Sequence, residues 1–295
     1  MKSGQTQLRV TAAMPLMEFL LAKMGGMSRT AVKALLAHRQ VSVNKHIETK
    51  FDYALQPDDV VIVAKQRPAT TNRLHPLLKL VYEDDYLLVV AKKEGLLTVA
   101  TTPESRETTA FSILKNYVRQ KNAHNGIFVV HRLDRETSGL LLFSKQRDLQ
   151  QFMRDNWRAV VTNRAYVALV EGDVQPRADT IVSWLTENPK TTRVYSSFRD
   201  NGGKKSITHY TKIAGNGRYS LLELHLETGR TNQIRVQMAA IGHPVVGDRK
   251  YGSGASPLLD RLALHARTLD FVHPVTQQPL HFELPVPPDF RLPNE

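Results

Sequence analysis

Residues 127–145 read IFVVHRLDRETSGLLLFSK, and they set a dense group of polar side chains between two apolar runs. Residues 127–130 and 140–143 have the pattern of buried strands. Between them stand His131, Arg132, Asp134, Arg135, Glu136, Thr137 and Ser138. A guanidinium beside a carboxylate lowers its pKa and keeps it ionised even when it is partly withdrawn from water. A sheltered, ionised carboxylate is what nucleophilic or electrostatic catalysis requires. A surface turn held by an Arg–carboxylate pair has the same spacing, so spacing alone leaves both readings open.

The totals narrow the chemistry. The chain has 295 residues with no cysteine, which removes thiolate nucleophiles, disulfides and Cys-based metal sites. Forty Lys and Arg oppose 28 Asp and Glu, a formal charge of +12. Such an excess points to a polyanionic partner, because each basic contact with a phosphate releases counterions. A hydrophobic content of 41% supports a real core. Glu18 and Lys23 interrupt the apolar stretch near the N-terminus, and no window reaches the ~20 apolar residues that span a bilayer. The expectation is a soluble, cytoplasmic protein without a membrane partner.

The elements that position these groups fall into two parts. In residues 1–65, Leu16, Phe19 and Leu20 recur at helical spacing, and Gly25-Gly26 ends that helix. Ser28 is placed to cap a second helix from Arg29 to about His38, buried through Val32, Leu35 and Leu36. Arg29 and Lys33 share another face of it, toward solvent or phosphate. Val41-Ser42-Val43 alternates as a strand, and Asp58-Asp59 marks a turn before a strand at 60–63. Helix, helix, then short strands, with Ser28-Arg29, Val41-Ser42-Val43-Asn44 and Pro57-Asp58-Asp59-Val60, resembles the S4 RNA-binding module. That resemblance makes Arg29 and Lys33 RNA-binding residues.

Residues 66–77 lack apolar periodicity and read as a linker. From 78 to 295, strands are expected at 87–90, 127–130, 140–143, 166–170 and 221–226, and helices at 109–120 and 149–156. A further helix over 232–241 follows Thr231 as its N-cap and stops before Gly242. Strands mixed with helices, without strict alternation, predict an α+β fold: a small N-terminal S4-like domain and a larger catalytic domain.

His131-Arg132-Leu133-Asp134-Arg135-Glu136-Thr137-Ser138-Gly139-Leu140 matches, residue for residue, the signature of the RluA-type RNA pseudouridine synthases. Tyr166-Val167-Ala168-Leu169-Val170-Glu171-Gly172 resembles a further block of that family. So do Thr228-Gly229-Arg230-Thr231-Asn232-Gln233-Ile234-Arg235-Val236, Ile241-Gly242-His243-Pro244-Val245, Gly247-Asp248 and Leu264-His265-Ala266. The resemblance spans about 78–290 and implies a mixed, mainly antiparallel sheet flanked by helices. It implies conversion of uridine to pseudouridine in structured RNA, without cofactor or metal. Asp134 would be the essential aspartate, as nucleophile at C1′ or as base for the 2′ proton. Tyr166 would stack on uracil and relay a proton at C5, Arg235 would pair with the aspartate, and Leu264 would wall the pocket. Arg132 would fill the space left by a flipped uridine, and Arg230 would bind RNA.

Asn232 and Gln237 stand where histidine is common in the family, and Arg164 replaces a frequent lysine. The basic stretch 188–205 is an exposed candidate for RNA contact. Ribosomal RNA of the large subunit is the first expectation for the substrate and transfer RNA the second, with a monomer acting. Two other readings stay in view. One is a non-catalytic RNA-binding assembly factor on the same fold. The other is a metal-dependent hydrolase using His131, Asp134, His243, Asp248 and His265.

Overall fold

The computed structural model describes residues 5–37, 40–44, 46–64, 73–100, 102, 104–252, 254, 256 and 258–292. The chain divides into Met1–Thr70 and Thr71–Glu295.

The first unit runs β1 (Gln5–Arg9), β2 (Met14–Pro15), α1 (Leu16–Lys23), α2 (Arg29–Ala37), β3 (Val41–Val43), β4 (His46–Ile47), β5 (Ala54–Leu55) and β6 (Val60–Ala64). Its main sheet has the order β1-β6-β3-β4. Phe19 and Leu20 from α1, Val32 and Leu36 from α2, and Val41 and Val61 from the strands are buried together, as helical and alternating spacing require. Ser28 Oγ accepts the Ala31 N–H at 3.1 Å and caps α2. Asp59 accepts from Asn44 Nδ2 at 2.7 Å and from Gln56 N–H at 2.8 Å, closing the turn before β6. The polar strand β1 carries no strong apolar pattern, and its pairing with β6 gives it its structure. His38, at the expected end of α2, lies outside the described residues.

The second unit begins with β7 (Arg73–His75), β8 (Leu78–Glu83), β9 (Leu87–Lys92), α3 (Ala110–Lys121), β10 (Phe128–Val129), β11 (Ser138–Ser144), α4 (Arg147–Asp155), α5 (Trp157–Val160) and β12 (Val161–Glu171). It continues with β13 (Ala178–Glu187), β14 (Val194–Ser197), β15 (Lys204–Gly215), β16 (Tyr219–Leu226), α6 (Gln233–Ala240), β17 (Leu264–Val272) and β18 (Pro279–Glu283). The large sheet follows the path β14-β13-β15-β16-β12-β17-β11-β9-β8-β7. Its pairings are antiparallel except β11 with β17, so the expected mixed, mainly antiparallel sheet is present.

Strands β9 and β11 are buried on both faces, which is why they read as unbroken apolar runs. Leu88, Leu141 and Phe143 pack with Leu114 and Val118 of α3. Leu87, Leu140 and Leu142 pack with Met153 of α4 on the opposite face. The parallel step aligns Ser138 with His265 and Gly139 with Ala266. Gly139 has φ +124°, and a Cβ there would lie 2.3 Å from the Ala266 carbonyl oxygen. Only glycine lets the two backbones meet so closely, and that contact places Leu264 beside the loop preceding β11.

Three sequence expectations need correction. Residues 73–75 of the expected 66–77 linker form the edge strand β7, which needs no apolar face of its own; residues 66–72 lie outside the described residues. Strands β13 and β15 went unpredicted because their outer positions are polar and exposed. The cap of α6 is Asn232 in the left-handed region, at φ 52° and ψ 22°, and not Thr231.

Candidate active site

Residues 131–137 form the loop that joins β10 to β11, and they are tied down from several sides. The Leu142 N–H donates to His131 Nε2 at 3.1 Å, so this ring nitrogen carries a lone pair and no proton. Burial, then the charge of Arg164, pushes the His131 pKa down to about 3. Thr98 Oγ1 donates to the Leu133 carbonyl at 2.7 Å and accepts the Leu133 N–H at 3.1 Å. The Lys92 ammonium, 2% exposed, donates to the carbonyls of Lys93, Leu96 and Arg135 at 3.0, 2.9 and 3.1 Å. The turn closes where the Thr137 N–H reaches the Asp134 carbonyl at 3.2 Å.

Asp134 projects from this braced loop into a cleft of about 800 Å³. Tyr166, Arg235, Leu264, Arg132 and Arg230 line the same cleft, so the structure brings six of the eight sequence candidates together. Tyr166 is presented by β12 and Leu264 by β17, both buried. Arg132 and Arg230 are exposed at the rim. Arg154, Arg158 and Arg164 also line the cleft, and sequence reading did not select them for this role. Arg164 lies 5.3 Å from the ring centre of Trp157. Arg29 and Lys33 are exposed on α2 of the first unit, and the Lys33 ammonium lies 5.7 Å from the Phe51 ring centre.

Arg235 meets three carboxylates, Asp134 among them. Its Nε and Nη2 form a fork onto Asp248, at 2.7 and 2.8 Å. Its remaining nitrogen, Nη1, meets Glu136 at 3.1 Å and Asp134 Oδ2 at 3.7 Å. Arg235 therefore lends Asp134 its charge across a longer gap, while its orientation is fixed by Asp248. A bidentate pair fixes a guanidinium in plane and position. Burial opposes the charge on both partners, yet their mutual bonds raise Arg235 above and hold Asp248 below the ordinary range. For Asp134 burial dominates: its pKa is raised although Arg235 pulls it down, with Glu136 adding to the rise. Burial likewise raises the Tyr166 hydroxyl, so the phenol is neutral near pH 7.

No sequence feature linked Lys92 or Thr98 to this loop, because each lies far along the chain and acts through folding; Asp248 stood out as part of a family block, but its bond to Arg235 did not. Of the departures, Gln237 is structural: it accepts from Thr208 Oγ1 at 2.6 Å and donates to Ser183 Oγ at 3.0 Å, pinning α6 to β13 and β15. The histidines of the metal-hydrolase reading stand apart. The ring of His243 bonds the Glu171 carbonyl at 2.8 Å, that of His265 bonds Ser138 Oγ at 2.8 Å, and Asp248 holds Arg235.

Lys92→Met leaves the Leu96 carbonyl and the loop without their buried donor. We expect a loss of about 1–3 kcal/mol in urea unfolding. A variant as stable as the parent would show that this brace does not matter.

Fold and cleft together define an enzyme built to work on an anionic polymer. Comparison with known proteins gives the reaction. The family of RNA pseudouridylate synthases matches residues 86–240. The RNA pseudouridine synthase YhcT of Bacillus subtilis is 34% identical over 273 residues, covering 90% of this chain and 87% of the relative. The ribosomal large subunit pseudouridine synthase D of Zymomonas mobilis is 32% identical, covering 77% and 74%. Among solved structures, human RNA pseudouridylate synthase domain containing 1 superposes with a TM-score of 0.57 at 26% identity, covering 70% of this chain and 83% of that one. The chain belongs to the RluA type of the RNA pseudouridine synthase family, and it is an isomerase that rearranges uridine in RNA.

Among the described residues no helix is long and apolar enough to cross a membrane.

Proposed function

We propose that the chain isomerises uridines of large-subunit ribosomal RNA, with Asp134 as the catalytic residue. The observation that carries this reading is Asp134 on a braced loop, facing a basic cleft beside Arg235, Tyr166 and Leu264. The bond from N1 to C1′ breaks, the detached uracil turns, and C5 bonds to C1′; N1 gains a proton as C5 loses one. Asp134 acts on the ribose, at C1′ or on the 2′ proton. Tyr166 stacks on the uracil and relays the C5 proton. Leu264 and the buried floor keep water from the exposed sugar carbon. Arg235 offsets the charge on Asp134. Arg132 fills the stack from which the uridine leaves, and Arg230 contacts the backbone.

The Zymomonas relative, whose name specifies the large ribosomal subunit, supports that choice of RNA. Pseudouridine mapping of ribosomal and transfer RNA, with and without the gene, tests it. Loss of a modified position in ribosomal RNA is expected, and loss confined to transfer RNA overturns it. We place this reaction in the cytoplasm and assign it to a monomer that needs no cofactor or metal. The first unit serves as an S4-like RNA grip through Arg29 and Lys33.

The hairpin at 188–205 adds a second grip. Lys190, Arg199 and Lys205 are exposed there beside Tyr195 and Phe198, which are 52% and 53% exposed. Cations interleaved with open rings suit unpaired nucleotides, through phosphate contacts and base stacking. Replacing those three cations by alanine should reduce the salt slope of RNA binding by about 2, at ~0.7 per contact. An unchanged slope in a filter-binding titration refutes this contact.

A further inference from the structure

Asn232 occupies the left-handed region at φ 52° and caps α6, yet its side chain makes no capping bond. A left-handed backbone is strained for most residues, though Asn tolerates it. Here the side chain lines the cleft. One end of the amide lies 2.7 Å from Asp134 Oδ2. The other lies 3.0 Å from the Tyr251 hydroxyl and 3.3 Å from Lys250 Nζ.

The neighbours decide which end is which. Lys250 can only donate, and the Tyr251 hydroxyl already accepts the Val194 N–H at 3.0 Å, leaving its hydrogen to give. An ionised Asp134 can only accept. The amide oxygen therefore faces Tyr251 and Lys250, and the nitrogen faces Asp134.

We propose that Asn232 is the positioning residue of Asp134, giving an amide N–H to its Oδ2 while Tyr251 and Lys250 hold the amide oxygen. The proposal rests on Asp134 being the catalytic aspartate. It makes Asn232 a closer polar neighbour of the carboxylate than Arg235 at 3.7 Å. The support behind Asn232 is rigid. Asp248 Oδ1 accepts the Lys250 and Tyr251 N–H groups at 2.8 and 3.0 Å, and the Lys250 ammonium reaches the Thr192 carbonyl at 2.8 Å. Asp248 thus orients both the arginine and the amide that serve Asp134.

A hydrogen bond to the ionised carboxylate favours ionisation and fixes which oxygen faces the ribose. The other groups facing Asp134 are Arg132 and Glu136 on its own loop, Arg235 on α6, Lys250 after α6, Lys92 on β9 and Tyr166 on β12. All of them remain when Asn232 is shortened.

The test is the pH profile of tritium release from total RNA of gene-deleted cells grown on 5-tritiated uridine, since C5 gives up its hydrogen on isomerisation. In Asn232→Ala the acid limb should move up by about 0.5–1 pH unit, a ~3–10-fold loss below the limb. Asn232→His should restore the limb, because histidine also tolerates positive φ and carries an N–H donor. Tyr251→Phe keeps the ring and drops the hydroxyl, so it should shift the limb in the same direction and decides the matter if Asn232→Ala does not fold. A purely structural residue would lower the melting temperature and leave the limb in place, and that result overturns the proposal. So does failure of Asn232→His to restore the limb. An Asp134→Asn enzyme that still releases tritium would instead overturn the assignment of Asp134 itself.

Discussion

Asp134→Asn is expected to lose about 1,000-fold or more in tritium release while binding RNA as tightly as the parent. Asparagine has the same shape and keeps the Arg235–Asp248 fork, so the cleft stays assembled. What it lacks is the charge and the lone-pair basicity that act on the ribose. The same variant should be at least as stable as the parent at pH 7. Burial holds the folded pKa of Asp134 above its unfolded value. A carboxyl shifted that way folds more favourably when protonated, and it loses stability as the pH climbs from the ordinary value near 3.8 through the raised one. Once ionised, Asp134 is thus a liability to the fold, offset only in part by Arg235 at 3.7 Å and Asn232 at 2.7 Å. A neutral side chain removes that cost. Loss of activity with unchanged or higher resistance to urea is the signature of a group kept for chemistry. Residual activity within tenfold of the parent, or collapse of the fold, would sink the assignment.

The sequence made some of this legible and hid the rest for physical reasons. The strands β9 and β11 could be read because they are buried along almost their whole length, leaving apolar runs that little interrupts; β10, before Asp134, is only half-buried and shorter than its apolar run suggested. Ser28 and the turn at Asp59 could be read because caps and turns are local: Ser28 bonds the Ala31 N–H and Asp59 the Gln56 N–H, each three residues away. The candidates Asp134, Tyr166, Arg235 and Leu264 came from matching motifs and not from spacing, and they share one cleft. What stayed hidden was most of the long-range bracing of the loop. Lys92 bonds the Arg135 carbonyl 43 residues away, and Thr98 bonds Leu133 across 35. Neither looks unusual in its own segment. Asn232 was visible only as a departure from a common histidine, because its role depends on a backbone angle that no composition reveals. The fork between Arg235 and Asp248 was not foreseen, for a related reason. Sequence supplied the right cation but no way to count how many carboxylates converge on it.

That convergence gives the second large effect. Asp248→Ala should lower stability by about 3–5 kcal/mol at pH 7, read by urea unfolding, and reduce turnover as well. Asp248 is 1% exposed and Arg235 4%, so the deletion leaves a guanidinium buried without its bidentate partner. Glu136 at 3.1 Å is more than half exposed and compensates little. Two backbone N–H groups, at Lys250 and Tyr251, lose their acceptor in the same stroke. The folded pKa of Asp248 is depressed, so its contribution is fully present above the ordinary value of 3.8 and disappears as the pH falls through the lowered one. The gap in stability between parent and variant should accordingly be widest near neutrality and narrow below about pH 4. Turnover falls for a separate reason: once released, Arg235 can swing onto Asp134, and the loop carrying Tyr251 and Lys250 no longer holds Asn232. Asp248→Asn is the milder companion, keeping one acceptor oxygen for the guanidinium, and should lie between the parent and Asp248→Ala. A stability difference under about 1 kcal/mol at pH 7, or one that does not change with acidity, would mean that Arg235 is fixed by something other than Asp248.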